Sequence, residues 1–328
     1  MSALETSSLY IKIKENNYIK IARLDHWIKH VFILPGVVAA YMLVDSTNMP
    51  ILIFLMGTLS ACAIASANYV INEWCDAEFD QFHPTKKTRP AAAGLLKKEI
   101  VYFEYGLLAF VGLLLGWLVS LNFFIISVVF LCMGLIYNVK PFRFKDIVFL
   151  DVICESVNNP LRMTLGWSMV SLSTIPPSSL LIAYWFGGAF LMAAKRLAEY
   201  RYIIAEDKMA ELLQYRRSFR VYTEELLLSS TFLYGLLSSF FMAGFLIKYR
   251  NEFLFVFPIF AALFTYYLLL ALRKGSIAQT PEKLHKDKKL IFLVTLLVFS
   301  FAVFALVDVP IAEKIVGIGQ SVNYNFLK

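Results

Sequence analysis

Apolar residues gather along this chain into nine long blocks, at about residues 27–44, 51–72, 101–120, 122–138, 147–171, 178–195, 226–247, 252–272 and 289–309. Each approaches the roughly 20 residues that a helix needs to cross the hydrocarbon of a bilayer. Helices are the expected form, because no backbone group can stay unpaired in lipid. The short alternating strands of a membrane barrel are missing from the pattern. The fifth block is the most polar and the fourth is short.

The polar positions between the blocks are equally uneven. Counting alternate connections, 26 lysines and arginines fall on one side and 4 on the other, with Arg162 left inside a block. The positive-inside rule then predicts a cytoplasmic N-terminus and an external C-terminus. The reading is one all-α membrane domain over residues 1–328, a bundle of nine spans. Residues 1–26 form a cytoplasmic segment, and cytoplasmic loops are expected at 73–100, 139–146, 196–225 and 273–288.

Composition agrees. The chain is 59% hydrophobic with a mean hydropathy of +0.65, whereas soluble domains hold about half apolar residues or fewer. The formal charge of +7 suits a membrane surface or an anionic substrate better than nucleic acid. The opening residues lack the apolar core of a cleavable signal. Cys62, Cys75, Cys132 and Cys154 are scattered, without metal-ligand spacing, and read as packing residues.

One stretch breaks the apolar pattern in an ordered way. Between Asn72 and Pro90 runs NEWCDAEFDQFHPTKKTRP. If the second span continues as a helix, Asn68, Asn72, Asp76 and Asp80 recur every four residues, with Glu73 on the same side. Carboxylates stacked this way repel one another, and a hard divalent cation such as Mg2+ would relieve them while sharing its oxygen ligands with a phosphorylated substrate. His83-Pro84 is expected to end the helix, and Lys86, Lys87 and Arg89 follow as candidates to hold phosphate oxygens. A solvated loop of mixed charge would not need the order amide, carboxylate, cation.

Asn72-Glu73-Trp74-Cys75-Asp76-Ala77-Glu78-Phe79-Asp80 resembles the NDxxDxxxD motif of the UbiA superfamily of intramembrane prenyltransferases, with Glu73 where an aspartate is usual. The resemblance implies a nine-helix bundle and Mg2+ held by Asn72, Glu73, Asp76 and Asp80, which become the expected catalytic group. Near the sixth span, prenyl-transferring members carry a second aspartate-rich motif. This chain instead has Lys195-Arg196-Leu197-Ala198-Glu199-Tyr200-Arg201, followed by Tyr215-Arg216-Arg217-Ser218-Phe219-Arg220-Val221-Tyr222-Thr223. Those segments, His83 to Gly94 read as HPTKxxRPxAAG, and Arg23 to His30 are similar to the decaprenyl-phosphate phosphoribosyltransferase branch.

That branch implies phosphoribosyl pyrophosphate as donor, a polyprenyl phosphate as acceptor, and an active site facing the cytoplasm of a cell-membrane protein, with a homo-oligomer possible. Its donor carries an extra phosphate, which suits arginine forks and lysine point charges. The implied substrate contacts are Lys29, Asn68, Lys86, Arg89, Tyr137, Lys140, Asp151, Arg162, Lys195, Arg196, Glu199 and Arg201. Within the fifth span, Asp151, Glu155, Asn158 or Asn159, and Arg162 form one polar stripe, costly in lipid unless it faces the interior. Pro160 is expected to kink that span. A prenyltransferase acting on a small acceptor is the second reading. A transporter with a charged midplane site is a third, disfavoured because the charges sit at helix ends and no internal repeat is visible.

Overall fold

The structure is a computed structural model that describes residues 16–44, 49–83, 86–207, 209–249, 251–273, 275–279, 281–307 and 309. All regular structure among them is helical. In chain order the α-helices are α1 (Asn17–Ile21), α2 (Leu34–Leu43), α3 (Ile51–Asp80), α4 (Lys98–Val119), α5 (Leu121–Asn138), α6 (Leu150–Ser156), α7 (Asn158–Val170), α8 (Ser178–Ala205), α9 (Met209–Tyr215), α10 (Glu224–Tyr249), α11 (Phe257–Leu272) and α12 (Lys288–Leu306). A 3-10 run over Leu24–Ile33 joins α1 to α2.

Among the described residues, seven helical stretches are long and apolar enough to cross a membrane: Asn17–Leu43, Ile51–Asp80, Lys98–Val119, Leu121–Asn138, Ser178–Ala205, Glu224–Tyr249 and Glu252–Leu272. The ninth expected block corresponds to α12. The fifth differs from expectation. Instead of one kinked span it forms α6 and α7, of 7 and 13 residues, meeting at Val157. Pro160 explains the break. It has no N–H to give the Ser156 carbonyl, and its ring crowds that carbonyl, so the helix restarts with proline in the first turn of α7, where it is tolerated. At roughly 20 Å, α7 is shorter than the hydrocarbon is thick.

The chain packs as two compact units. The first comprises 1–181 and 203–226. Its core joins Ile33, Val37, Ile64, Phe123, Phe130 and Leu165, among others. Helices come close where side chains are small. A Cβ on Gly36 would lie 1.8 Å from the Met163 carbonyl oxygen, and one on Gly166 would lie 2.1 Å from that of Ile33, so α2 and α7 cross through a reciprocal glycine contact. The Ser60 hydroxyl donates to the Gly112 carbonyl at 2.6 Å and ties α3 to α4. The second unit comprises 182–202 and 227–328. There the Ser238 hydroxyl donates to the Ala183 carbonyl at 2.8 Å, and aromatic rings fill the core, with Phe190 and Phe264 centred 4.5 Å apart. Hydrocarbon-facing residues such as Phe110 and Trp117 are more than half exposed, as a lipid-bathed surface allows.

Candidate active site

α3 is a 30-residue helix, about 45 Å long at 1.5 Å per residue. It carries its apolar and small residues first and its acids last. As the periodicity predicts, it continues through Asn72, Glu73 and Asp76 and ends at Asp80. A turn over 81–83 follows, and Pro84, expected to end the helix, lies outside the described residues. Each acid is neutralised from a different direction. Arg23, in the left-handed region at φ 50, reaches Glu73 at 3.1 Å. Arg89 reaches back to Asp80 at 2.5 Å. Asp76 takes two cations on one oxygen, Arg143 Nη2 at 2.9 Å and the Lys145 ammonium.

Both of those cations come from the short loop after α5. Its path depends on two residues in left-handed backbone, Arg143 (φ 35) and Phe149 (φ 65), a conformation uncommon for side-chain-bearing residues. Arg143 is buried and donates to the carbonyls of Cys75 at 3.2 Å and Asn138 at 2.9 Å, and to Asp146 at 3.1 Å. Its guanidinium lies 4.5 Å from the centre of the Phe79 ring. Burial pulls the Lys145 ammonium below the usual lysine range, with the Asp76 carboxylate working against that.

Asn138 joins this loop to the acid face. Its side-chain oxygen accepts from Asn72 Nδ2 at 2.5 Å and from Lys145 Nζ at 2.7 Å, while its amide donates to the Gly134 carbonyl at 2.8 Å. Asn72 gives one N–H to Asn138, and its carbonyl oxygen is an acceptor that can serve another partner. One helical turn earlier, Asn68 donates to the Phe130 carbonyl at 3.0 Å. Gly134 makes room for it, since a Cβ there would lie 2.0 Å from Asn68 Oδ1.

The polar stripe of the broken fifth span is anchored by the segment after α9. Asp151 is fully buried and accepts from the Tyr222 hydroxyl at 2.6 Å and the Ser218 hydroxyl at 3.2 Å. Tyr222 also accepts from the strained Phe149 amide at 2.9 Å, so the serine and tyrosine of one sequence motif fix the lead-in to α6. Glu155 accepts from the Tyr137 hydroxyl at 2.9 Å, and Arg162 lies over the Phe130 ring at 5.2 Å.

The structure therefore brings Asn72, Glu73, Asp76, Asp80 and Arg89 together around the end of α3. Lys29 is half-buried near His26 and Tyr69, and Lys86 lies 5.9 Å from the Tyr215 ring. Lys140 is exposed. Lys195, Arg196, Glu199 and Arg201 lie on α8 within the second unit, where buried Arg196 is 3.8 Å from Glu199.

Among the described residues no three histidine, cysteine or acidic side chains converge to hold a metal ion. The donor types nonetheless suit one. Asn68 Oδ1 and Glu73 Oε1 are buried oxygens without a hydrogen-bond partner, and such hard acceptors match Mg2+. Asn138, Arg143, Lys145, Ser218 and Tyr222 were not among the residues singled out as site candidates. The signals were slight: three cations within six residues of loop, and the motif that contains Ser218 and Tyr222.

Comparison with known proteins settles the family. Residues 32–284 match the UbiA prenyltransferase family. The chain belongs to it. Among UbiA relatives, the decaprenyl-phosphate phosphoribosyltransferase of Mycolicibacterium smegmatis is 32% identical over 216 residues, 64% of this chain and 63% of that protein. The enzyme of the same description from Mycobacterium tuberculosis is 30% identical over 213 residues, 62% of this chain and 65% of its own. The match thus spans a little under two thirds of either relative. A UbiA homolog from Archaeoglobus fulgidus, solved bound to DMAPP and Mg2+, superposes with a TM-score of 0.67 at 18% identity, covering 89% of this chain and all of that one. The shared UbiA architecture is a matter of fold at that identity.

Proposed function

We propose that this UbiA member transfers 5-phosphoribose from phosphoribosyl pyrophosphate to a polyprenyl phosphate, at a site on the cytoplasmic face of a nine-span cell-membrane protein. The observation that carries the reading is the segment Lys195–Glu199, where two cations, one of them buried Arg196 paired to Glu199, replace the second acidic cluster that prenyl-transferring members use. The two mycobacterial relatives described above support it.

In the reaction a phosphate oxygen of the lipid attacks the anomeric carbon of the donor. The bond from that carbon to the pyrophosphate oxygen breaks, and pyrophosphate leaves with the electron pair. The attacking phosphate is already ionised near neutral pH, so no strong general base is required. Mg2+, held by Asn72, Glu73, Asp76 and Asp80, would supply Lewis-acid charge neutralisation at the leaving diphosphate. The chain's own work is positioning and electrostatics. Arg89 pairs with Asp80, while Lys86, Arg143 and Lys145 lie near Asp76, so that negative oxygens on the donor would meet cations around the acid face. Lys195, Arg196 and Arg201 would take the donor's 5-phosphate.

The test is direct. Purified protein is incubated with MgCl2, a polyprenyl phosphate and either phosphoribosyl pyrophosphate or a prenyl diphosphate with an aromatic acceptor, and the lipid product is identified by mass. A lipid heavier by one phosphoribosyl group is expected. Product from the prenyl diphosphate alone would leave the fold standing and overturn the substrate.

A further inference from the structure

One carboxylate oxygen of Asp76, Oδ1, is already in contact with two cations, Arg143 and Lys145. The two are held differently. Arg143 is bound on every side, to the carbonyls of Cys75 and Asn138 and to Asp146, so it is part of the frame. Lys145 is a single ammonium on a flexible stem, with Asp76 and Asn138 Oδ1 as its hydrogen-bonding partners. A doubly charged ion brought to Asp76 beside both would meet strong repulsion in a mostly buried setting. Either a cation withdraws, or negative charge must arrive along with the metal.

We infer that Lys145 is a resident counter-ion of Asp76 that competes with the divalent ion, making metal and diphosphate bind as a coupled pair. Lys145 is the group that yields, because moving it off Asp76 breaks one ion pair of a single ammonium, whereas releasing Arg143 opens the loop. Once displaced from Asp76, the ammonium remains tethered near Asn138 and can meet the anion that accompanies the metal. Coupling of this kind is reciprocal, so the anion must tighten the metal by the same factor that the metal tightens the anion. This inference rests on the metal face proposed above, and its own content is the competition.

The readout is thermal unfolding of the full-length protein in detergent, titrated with MgCl2 alone and with MgCl2 plus inorganic pyrophosphate, with no turnover involved. For the wild type we expect weak stabilisation by Mg2+ alone and an apparent dissociation constant about tenfold lower with pyrophosphate present. Lys145→Gln keeps a hydrogen bond to Asn138 but removes the charge. It should bind Mg2+ alone about tenfold more tightly than wild type and lose most of the benefit of pyrophosphate. Lys145→Arg should behave as wild type. Asp76→Asn should lose the Mg2+ response.

Unchanged or weaker Mg2+ binding in Lys145→Gln, with Asp76→Asn still unresponsive, overturns the competition and leaves the metal face intact. A Mg2+ response that survives Asp76→Asn overturns both. Should Lys145→Gln not fold, the wild type still decides: equal Mg2+ affinity with and without pyrophosphate overturns the inference.

Discussion

Arg143 reaches Asp76 across 67 positions of sequence and holds it at 2.9 Å from a strained loop. Arg196 instead meets Glu199 three positions along its own helix, at 3.8 Å. Both arginines are buried, yet the two pairs do different things. The first exists only when α3, α5 and the loop between α5 and α6 are assembled, so it reports and enforces that assembly. The second lies within one helix, so forming α8 alone sets its spacing. A long-range pair is a structural commitment, and a local one is better suited to exchanging its partner for a substrate phosphate.

The largest effect expected is on turnover. Asp76→Asn and Asp80→Asn should each slow transfer about a thousandfold, ~4 kcal/mol in the barrier, in protein that still purifies folded. Activity within about threefold of wild type would make the acid face a scaffold and remove the functional side of the contrast. Next, Arg143→Met should lower unfolding stability by roughly 3 kcal/mol, because it leaves Asp76 and Asp146 short of a buried partner. An unchanged midpoint in chemical denaturation would remove the structural half of the contrast.

The local pair should instead declare itself in kinetics. Neutralising Lys195 and Arg196 together is expected to raise KM for phosphoribosyl pyrophosphate about ten- to a hundredfold, with kcat less affected. An unmoved KM would mean that α8 does not touch the donor. Smallest is Tyr222→Phe, which removes the hydroxyl shared by Asp151 and the Phe149 amide and should cost about 1 kcal/mol. A neutral result by thermal unfolding would show that the Tyr222 hydroxyl adds nothing to the hold on Asp151.

How much of this was legible depended on periodicity. Asn68, Asn72, Asp76 and Asp80 recur at one spacing on one helix, so their shared face could be read directly. The apolar blocks gave helix positions to within a few residues for α4, α5 and α10. Pro160 announced an irregularity, but the sequence does not say whether such a proline bends a helix or divides it. That depends on whether neighbours can hold the freed carbonyl of Ser156. The partners of Asp76 and Asp151 were not readable. Arg143 and Lys145 depend on a left-handed residue with no glycine to mark it. Ser218 and Tyr222 come from 67 and 71 positions away, with no pattern relating them to Asp151.

The length of α3 has a consequence of its own. A bilayer's hydrocarbon is about 30 Å deep, so a helix of about 45 Å overshoots it by some fifteen ångströms. The apolar start, with Ile51 and Leu52 exposed, belongs in oil, so the overshoot is the acidic end. Asn72 to Asp80 thereby stand at the depth of lipid headgroups. Under the reaction proposed above, a sugar phosphate diffusing in water and a phosphate riding on a membrane lipid would share only that one layer, and there the two could react without either charge entering hydrocarbon.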